Sequence, residues 1–220
     1  PWPRRIYKDL IQFLSSGEPS AIIFDILFTE KQLSGEDDSQ FAEAVQASGL
    51  VSQAAQYLLE PSREGVSHVP MPSEIATRFN LKWAVHAPQG YRGPSTWHDF
   101  LLPNPTLLAQ TPRLHVVNVE KDDDGIYRRV PLFFNYDNSW LPSLSLGAVL
   151  AAFKDPALNF DESKRTLEVI ESGKLVLRIP MEFDGQIPLH FYKDAHRPKT
   201  YRMAEAIESA AALQRGDVED

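Results

Sequence analysis

At 220 residues, with no cysteine and a net charge of −8, the chain has room for one domain with a substantial core and excludes disulfide or thiolate chemistry. The acidic balance works against nucleic acid and anionic lipid as partners, because both draw affinity from clustered Lys and Arg. A hydrophobic content of 43% with 24% charged residues is that of a folded globular protein. No run reaches the roughly 18 apolar residues of a spanning helix, and no charged, apolar leader precedes Pro1. The sequence reads as a soluble protein or a soluble piece of a larger one.

Pro3 suits a first helical turn, and Ile6, Leu10, Ile11, Phe13 and Leu14 recur at helical spacing before Gly17. This predicts an amphipathic helix over Arg4–Ser16. The run Ala21–Thr29 is apolar apart from Asp25 and rich in Ile and Phe, which predicts a strand covered on both faces. An ionised Asp25 there needs a partner, a ligand or the end of a strand. Arg5 and Arg128 are its candidate structural partners, with a ligand as the alternative. Asp37, Asp38 and Ser39 cap a helix carrying Phe41, Ala42, Ala44 and Val45, which Gly49 ends, and Leu50–Leu59 resumes as a strand. Helix, strand, helix, strand is the rhythm of an α/β layer fold.

From Glu60 to Pro112 prolines break every long element, leaving a loop excursion. Short helices fit Ser73–Phe79 and Thr106–Gln110, and a strand fits Leu81–Val85. Trp83, Tyr91, Trp97 and Phe100 in this excursion are candidates to line a pocket or to pack the loops down. His115–Val119 and Ile126–Tyr136 read as strands joined by a hairpin turn at Lys121–Gly125, with Gly125 in the left-handed position. Leu141–Phe153 has helical periodicity. Thr166–Ile170 and Lys174–Ile179 flank a second hairpin turn, Ile187–Tyr192 is a further strand, and the alanine-rich Tyr201–Gln214 is a helix stopped by Gly216. The fold class expected is α/β: a mixed β-sheet flanked by helices, with a Pro-rich loop excursion and β-hairpins in the second half.

Chemistry is sparse. Asp122, Asp123, Asp124 and Gly125 resemble the opening of a calcium loop, but the twelfth position from Asp122, where a bidentate Glu belongs, is Phe133. A solvated turn is the better reading. The six histidines, at positions 68, 86, 98, 115, 190 and 196, have no metal-ligand spacing. No nucleophile elbow, phosphate loop or dinucleotide fingerprint is present, and Ser143 and Ser145 lack an identifiable base.

Several segments in series carry a resemblance. Trp2-Pro3-Arg4 with Tyr7, the run Ala21–Phe28, the Asp37-Asp38 pair before a helix, Asn118, Asp122–Leu132 and Leu141–Leu146 together resemble the CHASE2 domain. The resemblance covers most of residues 1–150 and more loosely the tail. It implies a single extracytoplasmic sensory domain over residues 1–220, in a bacterial receptor whose membrane helices and cyclase or kinase output lie elsewhere. It implies no catalytic residues, no metal and no cofactor in this domain, and an unidentified small molecule or protein as stimulus. The family's flanking strands at both ends are not recognisable here, so an open sheet edge is expected to favour a homodimer.

The expected ligand pocket is formed by Asp25, Asn118, Asp124 and Arg128, with the aromatics of the excursion over it and Arg128 facing any anion. A metal-assisted hydrolase using Asp25 with Asp122 and Asp124 is the alternative, and it requires those carboxylates to converge. A structural interaction module without a small ligand is the third reading.

Overall fold

The computed structural model describes residues 2–58, 72–82, 99–136, 139–182, 185–191 and 198–217. Its first helix, α1 (Arg5–Ser16), buries Tyr7, Leu10 and Ile11; of the predicted stripe Leu10 and Ile11 are buried, Ile6 and Phe13 half-buried, and Leu14 exposed. The second, α2 (Gly35–Ser48), buries Phe41, Ala42, Ala44 and Val45, and Gly49 closes it at φ 63°. That left-handed cap is the conformation glycine adopts without steric cost.

A parallel sheet lies beneath these helices. Strand β1 (Ile22–Ile23) pairs with β2 (Val51–Leu58), placing Ile22 opposite Val51. The predicted strand over Ala21–Thr29 is therefore reduced to two residues. A short strand, β3 (Asp99–Leu101), pairs antiparallel with Gln56–Leu58, farther along β2. After the hydrogen bond from Phe24 N to Ser52 O at 3.1 Å, the chain of β1 leaves the sheet. Phe24 and Phe28 instead turn under the helices and meet Tyr7 and Phe41 with ring centroids 5.0 to 5.7 Å apart, mostly edge to face.

Two short helices follow their predictions: α3 (Ser73–Phe79) and α4 (Pro105–Gln110). Asn104 caps the second by accepting from the backbone N–H groups of Thr106 and Leu107. Strand β4 (Arg113–Val116) then runs parallel to β2 on its other edge, with Ala54 opposite His115. Of the strand predicted over Leu81–Val85, Leu81 and Lys82 are not in a strand, and the remainder lies outside the described residues, as do Trp83, Tyr91 and Trp97.

The turn at Asp122–Ile126 is as predicted, with Gly125 at φ 80° and its N–H bonded to Asp122 O at 2.7 Å. Its flanking strands do not pair with each other, however. The predicted strand Ile126–Tyr136 divides at Leu132 into β5 (Arg129–Pro131) and β6 (Phe133–Tyr136). The latter pairs antiparallel with β7 (Ser139–Pro142), which a parallel bridge from Ser143 to Val116 joins to β4. Of the helix predicted over Leu141–Phe153, α5 (Leu144–Leu150) forms, with Ser143 as its N-cap.

An antiparallel meander closes the fold: β8 (Ala157–Asp161), β9 (Thr166–Glu171) and β10 (Lys174–Pro180). The β9–β10 turn has Ser172 and Gly173 at φ 51° and 74°, the pair of positive values that matches strand twist in a two-residue hairpin. Strand β11 (Gln186–Pro188) pairs with β5, shorter than the predicted Ile187–Tyr192. The last helix, α6 (Met203–Arg215), packs on α1 and ends at Gly216 with φ 75°. The molecule is a mixed α/β fold with one aromatic core under α1 and α2, a second around Tyr57, Phe134 and Tyr136, and a third between α5 and the meander.

Candidate functional site

In open α/β sheets ligands gather beyond the carboxyl ends of parallel strands. Here those ends belong to β2 and β4, and Asn118 organises them. Val117 N donates to Ala55 O at 3.0 Å, the last backbone bond of the ladder. Asn118 then substitutes its side chain for main chain: its Nδ2 donates to Tyr57 O at 2.8 Å and its Oδ1 accepts from Tyr57 N at 2.7 Å. The residue is buried, so both bonds are shielded from water. Asn118→Ala is expected to cost about 2 kcal/mol by leaving a buried N–H and C=O unmatched. Urea unfolding measures this, and a loss below about 0.5 kcal/mol would mean that water replaces the amide.

Past this clamp lies an open groove of about 770 Å³, bordered by Gln56, Leu58, Asn118, Tyr127, Val130 and Leu189. Its walls are largely apolar, and Val119 and Tyr127 are more than 40% exposed. At its rim, Lys121 Nζ sits 5.4 Å from the centre of the Tyr127 ring.

The acidic turn beside it is neutralised from within. Arg128 reaches Asp124 at 2.8 Å through each of its two terminal nitrogens and Asp122 at 3.2 Å. Arg129 bridges Asp122 at 3.2 Å and Glu182 at 2.7 Å. The Arg128 hydrogen bond, helped by the N–H of Ile126, holds the Asp124 carboxyl below its ordinary pKa, and Asp124 in turn raises that of Arg128. All of these groups are substantially exposed, so they shape the turn more than they stabilise the fold.

Of the four predicted site residues, only Asp124 and Arg128 are in contact. Asn118 borders the groove with its side chain already committed to Tyr57. Asp25 is exposed just past the carboxyl end of β1, rather than buried within a strand, and forms no ion pair among the described residues with Arg5, Arg128 or any other cation. Its neighbour is His115, which is fully buried on β4. The Nδ1 of His115 is 2.7 Å from the Ser52 hydroxyl, whereas Nε2 has no hydrogen-bond partner among the described residues. Desolvation pushes the pKa of this ring down to about 4, against the opposing pull of the Phe24 carbonyl and Asp25. The sequence signal for His115 was a histidine within the apolar run Leu114–Val117; metal-ligand spacing was the wrong test for it.

The Arg that ties the N-terminal landmarks together is Arg4, not Arg5. Arg4 Nη1 bonds Asp38 Oδ1 at 2.7 Å, with both side chains at most 10% exposed. Asp38 Oδ2 also accepts from Gln32 N, and the guanidinium lies 5.2 Å from the centre of the Phe28 ring. The Asp37-Asp38 pair is thus a buried anchor rather than an exposed cap.

Among the described residues no group of three or more His, Cys, Asp or Glu converges as a metal site would require. The convergence that the hydrolase reading needs is not found there, since Asp122 and Asp124 face arginines while Asp25 neighbours His115. No described helix is long and apolar enough to cross a membrane. The family model of the CHASE2 domain matches residues 1–219. No curated protein and no solved structure matches the chain.

Proposed function

Because the chain belongs to the CHASE2 domain family, an extracytoplasmic, non-catalytic sensory family of receptors, we propose that it is a single sensory domain of a membrane-anchored bacterial receptor. Its stimulus biases the domain between two conformations, and the receptor carries that bias to a cyclase or kinase output. Such a signal requires that the stimulus bind one conformation better than the other. The family match over residues 1–219 carries this reading. The groove beyond Asn118 supports it, being of the size that small-molecule sites have and lying where α/β sheets bind ligands.

A thermal-shift screen with small anions, sugars, peptides and divalent cations tests for a small-molecule stimulus. A ligand present at about a hundred times its dissociation constant adds about 2.7 kcal/mol of stability, which is several degrees for a chain of this size. Placement outside the cytoplasm is tested by fusing the receptor, at this domain, to a reporter active only there. Silence of that reporter, with activity of a second reporter that works only in the cytoplasm and is fused at the same point, counts against the reading.

A further inference from the structure

The opposite end of β4 carries a second concavity. It lies between the start of β4, the end of α3, and α5 with the segment leading into β8, and has a volume of about 190 Å³. That is room for about six waters at roughly 30 Å³ each, or for a small organic molecule. Three cations, Arg78, Arg113 and Lys154, line it, and among the described residues no carboxylate does. In a chain of net charge −8 this local sign reversal is unexpected.

Backbone carbonyls orient the two arginines, while the Lys154 side chain has no partner among the described residues and is exposed. Arg78 donates to three backbone carbonyls at the end of α4, those of Leu108, Ala109 and Thr111, at 3.0, 3.0 and 2.6 Å. Its nearest carboxylate, that of the exposed Glu74, is 3.8 Å away. Arg113 likewise donates to a carbonyl, that of Gly49, at 3.1 Å. Neither Arg113 nor Lys154 has an ion-pair partner among the described residues. The charge of Arg113 is therefore both pre-positioned and unpaired, the condition under which a bound carboxylate gains charge-assisted hydrogen bonds at little ordering cost, with Lys154 free to swing in.

The rest of the lining is mostly apolar side chains, Phe79, Leu150 and Phe153 among them, with Ser52 and Asn80 as its other polar members. Cations beside an apolar wall suit an anion with a hydrocarbon body. We infer that this cleft binds a small organic carboxylate, its acid group held by Arg113, Lys154 and Arg78 and its apolar part against Phe79 and Phe153. Inorganic phosphate, which has no hydrocarbon to bury, fits it poorly. The inference stands apart from the sensory reading, since it concerns binding by the purified chain and not receptor output.

The test is a titration of the 15N-labelled chain with sodium benzoate, followed by backbone amide shifts. Benzamide serves as the neutral isostere and sodium phosphate as the anion without an apolar body. Saturable shifts at Gly147, Lys154 and Arg113 are expected with benzoate, and binding about tenfold weaker or worse with either control. Lys154→Gln and Arg113→Gln should each weaken benzoate about tenfold, the worth of one charge-assisted bond. Lys154 is exposed, so its variant keeps the wild-type melting temperature and reports on binding alone. The inference is overturned by shifts that fail to saturate, by shifts that centre on Val117–Val119 at the other end of β4, by equal affinity for benzamide, or by unchanged affinity in Lys154→Gln.

Discussion

Arg4→Ala is expected to destabilise the protein by about 3 to 5 kcal/mol, the cost of leaving one member of a buried ion pair without the other. Asp38 is 2% exposed and, among the described residues, would keep the Gln32 N–H as its one hydrogen-bond partner. The substitution also removes the cation from the face of Phe28, at the edge of the aromatic core formed by Tyr7, Phe24, Phe28 and Phe41. For a chain of this length the melting temperature should fall by roughly 10 °C. The decisive comparison is with Arg4→Met combined with Asp38→Leu. If the cost comes from an unpaired buried charge, the double variant is less destabilised than Arg4→Met and Asp38→Leu added together, because no lone charge remains. Additive losses in a double-mutant cycle would mean that the two side chains act independently, and the clamp would then be a matter of packing.

That clamp also shows what the sequence could disclose. The helices α1, α2 and α6 were legible because each carries an apolar stripe and a glycine stop, and the β9–β10 hairpin because Ser172-Gly173 suits a turn with two positive φ values. Trp2-Pro3-Arg4 and Asp37-Asp38 stood out as landmarks, yet their joining could not be read, since Arg4 and Asp38 meet only after β1 and the following loop fold under α2. The length of β1 was illegible for a similar reason. It ends where Phe24 and Phe28 turn to pack against Tyr7 of α1 and Phe41 of α2, contacts made only in the fold.

Asn118 was expected to line a ligand pocket, and in the fold its side chain is committed to Tyr57. Its task, replacing a strand's backbone with a side-chain amide, requires knowing where β4 leaves β2. The basic cleft had no sequence signature, because Arg78, Arg113 and Lys154 come from three separate segments and none sits in a basic run. Asp25 misled for the opposite reason: its apolar neighbours suggested a buried strand, but Phe24 and Phe28 are buried by turning away from the sheet, and the turn exposes the carboxylate between them.

Acidification supplies the second large effect, and His115 sets its window. The ring titrates near its ordinary 6.5 when the chain is unfolded and at about 4 in the fold, because burial disfavours the imidazolium. The unfolded state therefore binds the proton more readily, and stability is lost as pH falls. The contribution is fully present above pH 6.5, declines from there to about 4, and is lost by then to the extent of about 3 kcal/mol. Carboxylates act in a lower range: Asp161, held at about 2 by Lys164 and the Ser163 hydroxyl, begins to weaken the fold only below its ordinary 3.8. Urea unfolding at pH 7.5 and pH 4.5 isolates the histidine. Wild-type protein should lose most of the 3 kcal/mol between these values, and His115→Gln should lose far less while being less stable at pH 7.5, since Ser52 forfeits its 2.7 Å partner. Asp25→Asn removes a charge that favours protonation of the ring, so it should lower the His115 pKa further and widen the window downwards. An NMR titration placing His115 near 6.5 in the folded protein would refute the account, because it would mean that water reaches a ring placed here in the core.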